Sequence, residues 1–201
     1  MFNVGLPEEV KKRLGLMYSE KCTVLEYGSG GSTLLALQAN PENFCYSCET
    51  DPAWLCRLAM EIARLGLSER FYPVFLDIGP TAKWGKPDFA TQPYNKQRGK
   101  GMIQASLGPW KLLRERQVDP DIVLIDGRFR VASFVASCIY TRKPTRIVFD
   151  DYADRPHYHL AERLASPTEI VGRAAFFDIQ PTEYDSAHIL SLYADFFVDP
   201  S

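Results

Sequence analysis

The sequence lacks the features that mark a membrane-inserted or secreted protein, or one that binds nucleic acid through its overall charge. No apolar run approaches the roughly 18 residues that a membrane span requires. The first residues lack the basic start, apolar core and small-residue cleavage site of a signal peptide. The formal net charge of −2 gives no overall attraction to nucleic acid or to a membrane surface. We therefore expect a cytoplasmic protein, and we expect neither a membrane nor nucleic acid as its partner.

A zinc-binding pattern is also missing. The five cysteines lie within or beside apolar runs, and two of them, Cys45 and Cys48, form a single C-x-x-C. That pair falls in a predicted strand, where residues three apart point to opposite faces. No second C-x-x-C and no histidine pair follows at a zinc spacing. The cysteines are expected to be buried free thiols in a reducing compartment.

Apolar runs of strand length alternate with helical patterns, which is typical of a parallel sheet joined by crossover helices. Neither an internal repeat nor a second domain is evident, so residues 1–201 are interpreted as one domain that begins with a helix within 1–20. Asp51, Pro52 and Gly66 delimit a helix between the second and third strands. Further helices are predicted over 131–138 and 157–164, and the runs 169–179 and 188–198 are predicted to pair as an antiparallel hairpin. The five crossover strands are predicted at 23–26, 44–48, 72–76, 122–125 and 146–149.

The segment 79–109 fits no regular element, because it is rich in glycine and proline and also contains the aromatic residues Trp84, Phe89 and Tyr94. It follows the third strand, so it is expected to lie over the carboxyl edge of the sheet, where ligands bind in open α/β folds. Residues 83–116 carry eight lysines and arginines. A solvated loop is one interpretation, and a mobile lid that attracts an anionic substrate is the other.

The motif with the most chemical information is VLEYGSGGSTLL at 24–35, where an apolar strand turns through glycines into a helix. Such a turn brings backbone N–H groups close to a ligand. Glu26 precedes the glycines, and Thr33 stands where a dinucleotide-binding motif has its third glycine. An acid at this place repels phosphates and suits a cationic ligand. A purely structural turn remains the alternative.

Glu49 follows the second strand, 21 positions after Gly28. A carboxylate there can accept hydrogen bonds from both hydroxyls of a ribose. The same spacing occurs in NAD enzymes, so Glu49 indicates an adenosine ligand rather than one particular cofactor. The alternative is an acid that merely favours the start of the following helix.

Over most of its length the chain resembles the class I S-adenosylmethionine-dependent methyltransferases, whose first motif is [DE]-x-G-x-G-x-G. Ser32 stands at the usual third glycine, with an extra glycine at Gly31, and Ser32 is expected to cap the helix. The resemblance implies an α/β, Rossmann-like, seven-stranded and mostly parallel sheet with helices on both faces and a C-terminal antiparallel hairpin. It also implies that Asp77 accepts the adenine amino group and that the Ile78 N–H meets the ring. The implied S-adenosylmethionine site comprises Glu26, Tyr27, Gly28, Ser29, Gly30, Ser32, Glu49, Thr50, Asp77, Ile78 and Asp126.

A second acidic group, formed by Asp126, Asp150 and Asp151, ends the fourth and fifth strands. Clustered carboxylates either bind a hard cation or raise one another's pKa. The arrangement is similar to the cation-dependent catechol and caffeoyl-coenzyme A O-methyltransferases, which implies magnesium or calcium bound by all three. The family pattern is Asp-Asn after the fifth strand, whereas this chain has Asp-Asp. Simple capping of the two loops is the alternative.

The expected catalytic residues are Asp126 and Asp150, followed by His157. The expected reaction is methyl transfer from S-adenosylmethionine to an oxygen or nitrogen of a small molecule. Arg128, Arg130 and Arg155 flank the acids, and they can either hold them by ion pairs or reach a carboxylate or phosphate on that acceptor. A binding module without turnover is one alternative. An NAD-dependent oxidoreductase is another, disfavoured by Glu26 and by the missing Tyr-x-x-x-Lys pair. Neither the acceptor nor the oligomeric state can be deduced from the sequence.

Overall fold

The fold is built on one seven-stranded sheet with the order β3-β2-β1-β4-β5-β7-β6. It is seen in a computed structural model that describes residues 2–201. The five strands β3, β2, β1, β4 and β5 pair in parallel with one another in that order, while β7 is antiparallel to both β5 and β6. The predicted seven-stranded α/β fold with its antiparallel C-terminal hairpin is confirmed. The strands are β1 Thr23–Tyr27, β2 Phe44–Glu49, β3 Phe71–Phe75, β4 Ile122–Ile125, β5 Thr145–Phe149, β6 Glu169–Val171 and β7 Ala174–Ile179.

Helices cover both faces of the sheet, which is why the central strands are apolar on both sides. One buried cluster joins the sheet to α1, α2 and α3, and another joins it to α4, α5 and α6. Among residues 2–201, no helix is both long and apolar enough to cross a membrane. The helices are α1 Glu8–Tyr18, α2 Gly31–Ala39, α3 Pro52–Arg64, α4 Lys96–Glu115, α5 Arg130–Tyr140 and α6 Ser186–Tyr193, with 3-10 turns at Ser68–Arg70, Lys83–Gly85, Pro156–Arg163 and Ala194–Phe197.

The start of α3 follows the sequence prediction. The Asp51 side chain accepts hydrogen bonds from the backbone N–H groups of Ala53 (2.9 Å) and Trp54 (3.0 Å). Pro52 occupies the first turn, where its missing N–H costs nothing. This cap fixes the path of the chain directly after β2, and so it fixes the position of Glu49 at the sheet edge.

The prediction that 79–109 is irregular throughout is wrong for its second half, because α4 begins at Lys96 and passes through Pro109. The glycines that suggested a loop instead allow close packing. A Cβ at Gly101 would lie 2.3 Å from the backbone oxygen of Asp77, so α4 touches the end of β3 at this point. Residues 79–95 remain irregular apart from one 3-10 turn.

The C-terminal hairpin is also shorter than predicted. Both of its strands lie within 169–179, and Gly172, at φ +55°, forms the turn between them. The run 188–198 is α6 followed by a 3-10 turn rather than a strand. Asp185 caps α6, while Ile189 and Tyr193, four residues apart, are its buried positions. That spacing is helical, and the sequence interpretation missed it. The predicted helix at 157–164 is a 3-10 helix.

The cysteines are free thiols, and four of the five are buried as expected. Cys45 packs on the face of the sheet that carries α1 to α3, and Cys48 packs on the other face. Cys56 departs from the prediction, since it is exposed on α3.

Candidate functional site

The predicted site residues lie at the carboxyl edge of the parallel strands, where the loops after β3, β2, β1, β4 and β5 stand side by side. Strands β1 and β4 are neighbours although nearly 100 residues of sequence separate them. A crevice at such a reversal of strand order is the usual ligand site of open α/β sheets. We call the loops after β1, β2 and β3 the left half of this edge, and those after β4 and β5 the right half.

Two glycines fix the centre of the edge. Gly28 has φ +95°, and a Cβ on it would lie 2.6 Å from the backbone nitrogen of Gly127. The loops after β1 and β4 therefore touch through their backbones, which only glycine permits at this place. The Gly28 N–H donates to the carbonyl oxygen of Cys48 at 2.9 Å, so the loop after β1 is also held to β2.

Glu26 is enclosed by side chains of the protein itself and is only 1% exposed. Its carboxylate accepts hydrogen bonds from the hydroxyls of Ser32, Thr33 (2.5 Å) and Ser47 (2.5 Å). Burial raises its pKa to about 7, against the opposite effect of these hydroxyls. Glu26 thus ties the start of α2 and the strand β2 to β1, and in this structure it holds the glycine loop in place.

The side chains of two residues near Glu26, Ser32 and Tyr27, make contacts other than those expected. Ser32 does not cap α2, because its hydroxyl donates to Glu26. The cap at Gly30 is instead made by Thr33, whose hydroxyl oxygen accepts from the Gly30 N–H at 3.0 Å. The side chain of Tyr27 points into the core, where its hydroxyl donates to the Ser106 carbonyl oxygen at 2.7 Å. Only the backbone of Tyr27 can therefore reach a ligand at the edge.

The extra glycine of the motif has a packing role. The segment before α1 crosses the start of α2, and a Cβ at Gly31 would lie 2.4 Å from the carbonyl carbon of Asn3. The ring of Phe2 meets Trp54 edge-on, with 4.7 Å between centroids. The Trp54 Nε1–H donates to the Ser29 carbonyl oxygen at 2.8 Å. Trp54 was not predicted as a site residue, yet it orients the loop from the side of α3.

Glu49 lies directly beside the glycine loop. Its Oε1 accepts from the backbone N–H groups of Thr50 (2.6 Å) and Asp51 (3.0 Å). Its Oε2 has a longer contact, 3.3 Å, with the Ser29 hydroxyl. Burial raises the pKa of Glu49, while the hydrogen bonds from Asp51 and Thr50 lower it. No lysine or arginine within residues 2–201 pairs with this carboxylate.

A short turn of the irregular segment, residues 82–86, docks on Thr50. The Thr50 hydroxyl donates to the Gly85 carbonyl oxygen at 3.2 Å. A Cβ at Gly85 would lie 3.5 Å from Oε1 of Glu49, so this turn stands next to the acid as well. Trp84 occupies the turn with φ 65° and is 73% exposed. An aromatic side chain and a backbone carbonyl thus border the left half of the edge.

The segment around this turn is organised by Arg98, which is 3% exposed. Its guanidinium donates to the carbonyl oxygens of Ile78 (2.9 Å), Pro80 (2.8 Å) and Asp88 (2.9 Å), and also to that of Gln92. The basic run of the sequence is therefore not a uniform surface patch. Arg98 is a structural cation, and Arg114 and Arg116 lie over the rings of Tyr140 and Tyr72.

The two residues predicted to contact an adenine ring lie at the end of β3. Asp77 is exposed, and its Oδ1 accepts from the Gly79 N–H at 3.0 Å. The Ile78 side chain is fully buried, in a cluster with Met102 and Phe129. Asp77 is thus available at the edge, and Ile78 fixes the start of the loop.

The three acids of the right half do converge, as the sequence indicated, but arginines pair with each of them. Asp150 is fully buried, and Arg173 binds both of its oxygens, at 3.0 and 2.6 Å. Asp151 pairs with Arg130 (3.1 Å), Arg155 (2.8 Å) and Arg173 (3.0 Å). Since Asp150 has both oxygens engaged, it holds the β5 loop and does not face an acceptor. The expected catalytic position of Asp150 is corrected accordingly.

Arg130 joins the ends of β4 and β5. It donates to the backbone carbonyl oxygens of Gly127 (2.9 Å) and Asp150 (2.7 Å). It also donates to Oδ1 of Asp126 at 3.1 Å. Asp126 is partly exposed, and its Oδ2 has no guanidinium partner among residues 2–201. Burial raises the pKa of Asp126. The nearby charges of Asp150 and Asp151 raise this pKa further, and the charge of Arg130 lowers it.

Two residues next to this arginine, its neighbour in sequence and one of its ion-pair partners, have an unusual backbone conformation. Phe129 and Asp151 each have φ 58°, a region that side-chain-bearing residues rarely adopt. Such positions persist only where the surrounding contacts over-determine them, and they concentrate at functional sites. Here the ion pairs of Asp151 and the full burial of Phe129 supply those contacts.

The right half does not fit a divalent cation. Both oxygens of Asp150 and both of Asp151 already bind guanidinium groups. Across the described chain, 2–201, no group of three or more histidine, cysteine, aspartate or glutamate side chains is arranged to hold a metal ion. A cation at Asp126 would also meet the positive charge of Arg130. We therefore derive no step through magnesium or calcium.

His157, the third expected catalytic residue, is exposed at the start of the 3-10 helix after β5. Its ring packs against Tyr158, with 4.4 Å between centroids. Tyr158 is buried, and its hydroxyl accepts from Arg155 at 2.8 Å. Both residues border the right half, but His157 has no hydrogen bond within 2–201 that would orient it.

Known structures resemble the chain over nearly its whole length. The crystal structure of a methyltransferase-like protein from Silicibacter pomeroyi DSS-3 is 30% identical, with a TM-score of 0.86, covering 99% of this chain and 98% of that one.

Two more distant structures share the fold. An O-methyltransferase from Bacillus cereus in complex with SAH is 14% identical, with a TM-score of 0.59 over 87% of this chain and 82% of that one. The O-methyltransferase TomG from Streptomyces achromogenes, in complex with SAM, is 13% identical, with a TM-score of 0.57 over 89% and 82%. No protein-family model and no curated protein sequence matches the chain.

Proposed function

Because the chain belongs to the class I S-adenosylmethionine-dependent methyltransferase family, we propose that it transfers the donor's methyl group to a small-molecule acceptor. The accepting atom is an oxygen or a nitrogen. An Asn-Pro-Pro-Tyr motif after β4 would indicate methylation of bases or of glutamine. This chain has Asp126-Gly127-Arg128 at that place, so we do not propose methylation of bases or of glutamine.

The observation that carries this proposal is the charge of the left half. Glu49 and Asp77 lie there without a lysine or arginine partner within residues 2–201. Their hydrogen-bond donors are hydroxyls and backbone amides. Uncompensated carboxylates attract a ligand that carries positive charge, and they repel the pyrophosphate of a dinucleotide. S-adenosylmethionine carries a positive sulfur and an ammonium group, and the residues present fit it.

Each residue of the left half has a distinct task in this proposal. Glu49 binds the ribose hydroxyls through Oε2, the oxygen that has only the long contact with Ser29. Asp77 accepts the adenine amino group through Oδ2, since Oδ1 is used by Gly79. Glu26 and Trp54 keep the glycine loop in the shape that receives the methionine part. When bound, the donor supplies a methyl group made electrophilic by its sulfonium.

Asp126 takes the acceptor's proton. Its Oδ1 is held by Arg130, which leaves Oδ2 to accept a proton from an acceptor O–H or N–H group. A general base works best when its pKa lies near the working pH, and burial raises the pKa of Asp126 toward that range. A Cβ at Gly28 would lie 2.9 Å from the backbone carbonyl carbon of Asp126, and this closeness to the glycine loop supports the proposed role.

Calorimetric titration with S-adenosylhomocysteine, S-adenosylmethionine and NAD tests the proposal. We expect both sulfur ligands to bind and NAD to bind far more weakly. Glu49→Ala should weaken S-adenosylhomocysteine binding about 10- to 100-fold, because it removes charge-assisted hydrogen bonds to the ribose. Glu42→Ala is the matched control, since Glu42 is exposed and pairs only with Lys21.

Each other outcome has a definite meaning. Preferential NAD binding would reject the proposal in favour of an oxidoreductase. Unchanged affinity in Glu49→Ala would reject the ribose assignment. Binding of S-adenosylmethionine without any methyl transfer across acceptor screens would favour a binding module instead of an enzyme.

A further inference from the structure

The right half contains one arginine that the acids do not neutralise. Four arginines, namely Arg128, Arg130, Arg155 and Arg173, lie around the ends of β4 and β5 with three carboxylates. Every carboxylate pairs with at least one of the last three arginines. Arg128 forms no ion pair with any residue of 2–201, so its charge is uncompensated.

The hydrogen bonds of Arg128 are incomplete as well. Its Nε is buried and has no hydrogen-bond partner among residues 2–201. Among residues 2–201 its side chain forms one hydrogen bond, a long one of 3.5 Å from Nη1 to the Pro200 carbonyl oxygen. A buried N–H of a charged group without a partner is unfavourable, so such groups usually face a ligand or water.

The surroundings make this cation still less favourable without an anion. Burial lowers the pKa of Arg128, and the nearby charges of Arg130 and Arg155 lower it further. Asp126 and Tyr158 oppose this effect but do not bind the guanidinium. A negative group would relieve the repulsion and would fill the planar fork of the guanidinium.

Resting on the proposed function, we propose that Arg128 binds an anionic group, a carboxylate or a phosphate, on the methyl acceptor. Arg128 follows Asp126 by two residues, a backbone span of at most about 7 Å. An acceptor held there by its anionic end presents a hydroxyl or amino group to Asp126. The arginine thereby selects acidic small molecules and orients them, while Asp126 acts on the proton.

The test uses matched probes on the complex of the protein with S-adenosylhomocysteine. Benzoate and phenyl phosphate carry the two anionic groups, and benzamide is the neutral isostere of benzoate. We expect at least one anion to bind the complex at least about tenfold more tightly than benzamide, with an affinity that falls as salt rises. The tighter of the two anions identifies the group as a carboxylate or a phosphate.

Variants assign the binding to Arg128. Arg128→Gln should weaken anion binding about 10- to 100-fold. Arg128→Lys keeps the positive charge but loses the planar fork of donors, so its anion affinity should lie between those of the wild type and Arg128→Gln. Arg142→Gln removes an equal charge at an exposed pair with Asp119 and should change nothing. S-adenosylhomocysteine affinity should be unaltered in all three variants.

Three results would overturn the inference: no anion binding, binding of both benzoate and phenyl phosphate no tighter than that of benzamide, or wild-type anion affinity in Arg128→Gln. The wild-type comparison needs no variant, so it decides even if Arg128→Gln fails to fold. Absence of S-adenosylhomocysteine binding is a separate failure, that of the proposed function. Titration of the ligand-free protein with the same probes would then still test Arg128.

Discussion

Acids at the ends of β1, β2 and β3 are held by neutral donors, whereas acids at the ends of β4 and β5 are held by arginines. Glu26 and Glu49 accept hydrogen bonds from hydroxyls and backbone amides. Asp150 and Asp151 accept from guanidinium groups on three sides. The two halves belong to one sheet edge and carry similar numbers of acids, yet they differ in net charge.

This difference separates two uses of a carboxylate. A neutral donor satisfies the oxygens without cancelling their charge, so the left half stays negative and suits a cationic ligand. An arginine cancels the charge and fixes the geometry, so the right half acts as a rigid frame. Asp126 lies at the boundary, with one oxygen bound to Arg130 and the other unpaired with any arginine of 2–201.

The largest expected effect is on Asp126. Asp126→Asn should lower turnover about 10²- to 10⁴-fold, the usual contribution of a general base, while S-adenosylhomocysteine affinity changes less than about threefold. Wild-type turnover should rise with pH as Asp126 loses its proton, since burial raises its pKa. Radiolabelled methyl transfer to the identified acceptor measures both effects.

The matched control is Asp119→Asn, a partly exposed acid just before β4 that pairs with Arg142. Chelation with EDTA should leave activity unchanged, because arginines occupy the acids that would bind a cation. Full activity in Asp126→Asn would assign the proton transfer elsewhere, with His157 next to be tested. Loss in EDTA that magnesium restores would contradict the arginine frame.

A second expected effect is on stability. Arg173→Met leaves the buried carboxylate of Asp150 without its partner and should lower the free energy of unfolding by about 3 kcal/mol. Arg146→Met removes an arginine from a pair with Asp178 in which both side chains are more than one-third exposed, and should lower it by less than about 1 kcal/mol. Urea unfolding at neutral pH compares them. Equal losses would show that the right half is no more than a surface network.

A third effect concerns pH and the left half. The folded protein holds a proton on Glu26 up to a pKa of about 7, whereas an unfolded glutamate loses it near 4.5. Protonation therefore favours folding, and stability should fall by about 3 kcal/mol as pH rises through this window. Urea midpoints measured from pH 5 to 8 should fall less steeply in Glu26→Gln than in the wild type, and the remaining fall belongs to Glu49 and Asp126, whose pKa values burial also raises. Glu20→Gln, an exposed control, should keep the wild-type slope.

The smallest expected effect is on the turn at residues 82–86. Thr50→Val removes the hydrogen bond to Gly85, worth about 1 kcal/mol, so amide exchange in the turn should accelerate about fivefold. Thr182→Val, which removes a similar exposed bond to Gln180, is the control. Exchange in the turn of Thr50→Val as slow as that of the core would contradict the prediction of a mobile lid within 79–109, in the part that precedes α4.

The sequence predicted the strands well because each is a short apolar run between turn residues, and β4 at Ile122–Ile125 matches to the residue. It predicted α4 poorly because Gly99, Gly101 and Pro109 favour a loop locally, while the packing of Gly99 against Tyr94 and of Gly101 against Asp77 is a tertiary effect. The acidic residues of the edge were predicted from their strand ends. Ion pairs with Arg130 and Arg155 were among the predicted possibilities and are present, whereas Arg173 was not predicted, because it comes from the distant β6–β7 turn.

Ser47 and Trp54 show the same limit in the site. A serine inside the buried strand FCYSCE was the available sign that a polar partner lies opposite, and Glu26 is that partner. Trp54 reads in sequence as an ordinary residue of the first turn of α3. Its bond to Ser29 depends on the angle between α3 and the glycine loop, which the sequence does not specify.

Asn3 and Pro200 both lie beside the carboxyl edge of the sheet, and this bears on how the protein is labelled in the laboratory. Asn3 crosses Gly31 on the left half, and Pro200 contacts Arg128 on the right. A dye or surface attached at Asn3 or Pro200 would therefore lie beside these loops and would bias ligand titrations. Pro41 and Glu42, which are exposed in the loop between α2 and β2 at the opposite edge, are the better points for attaching a surface or a dye.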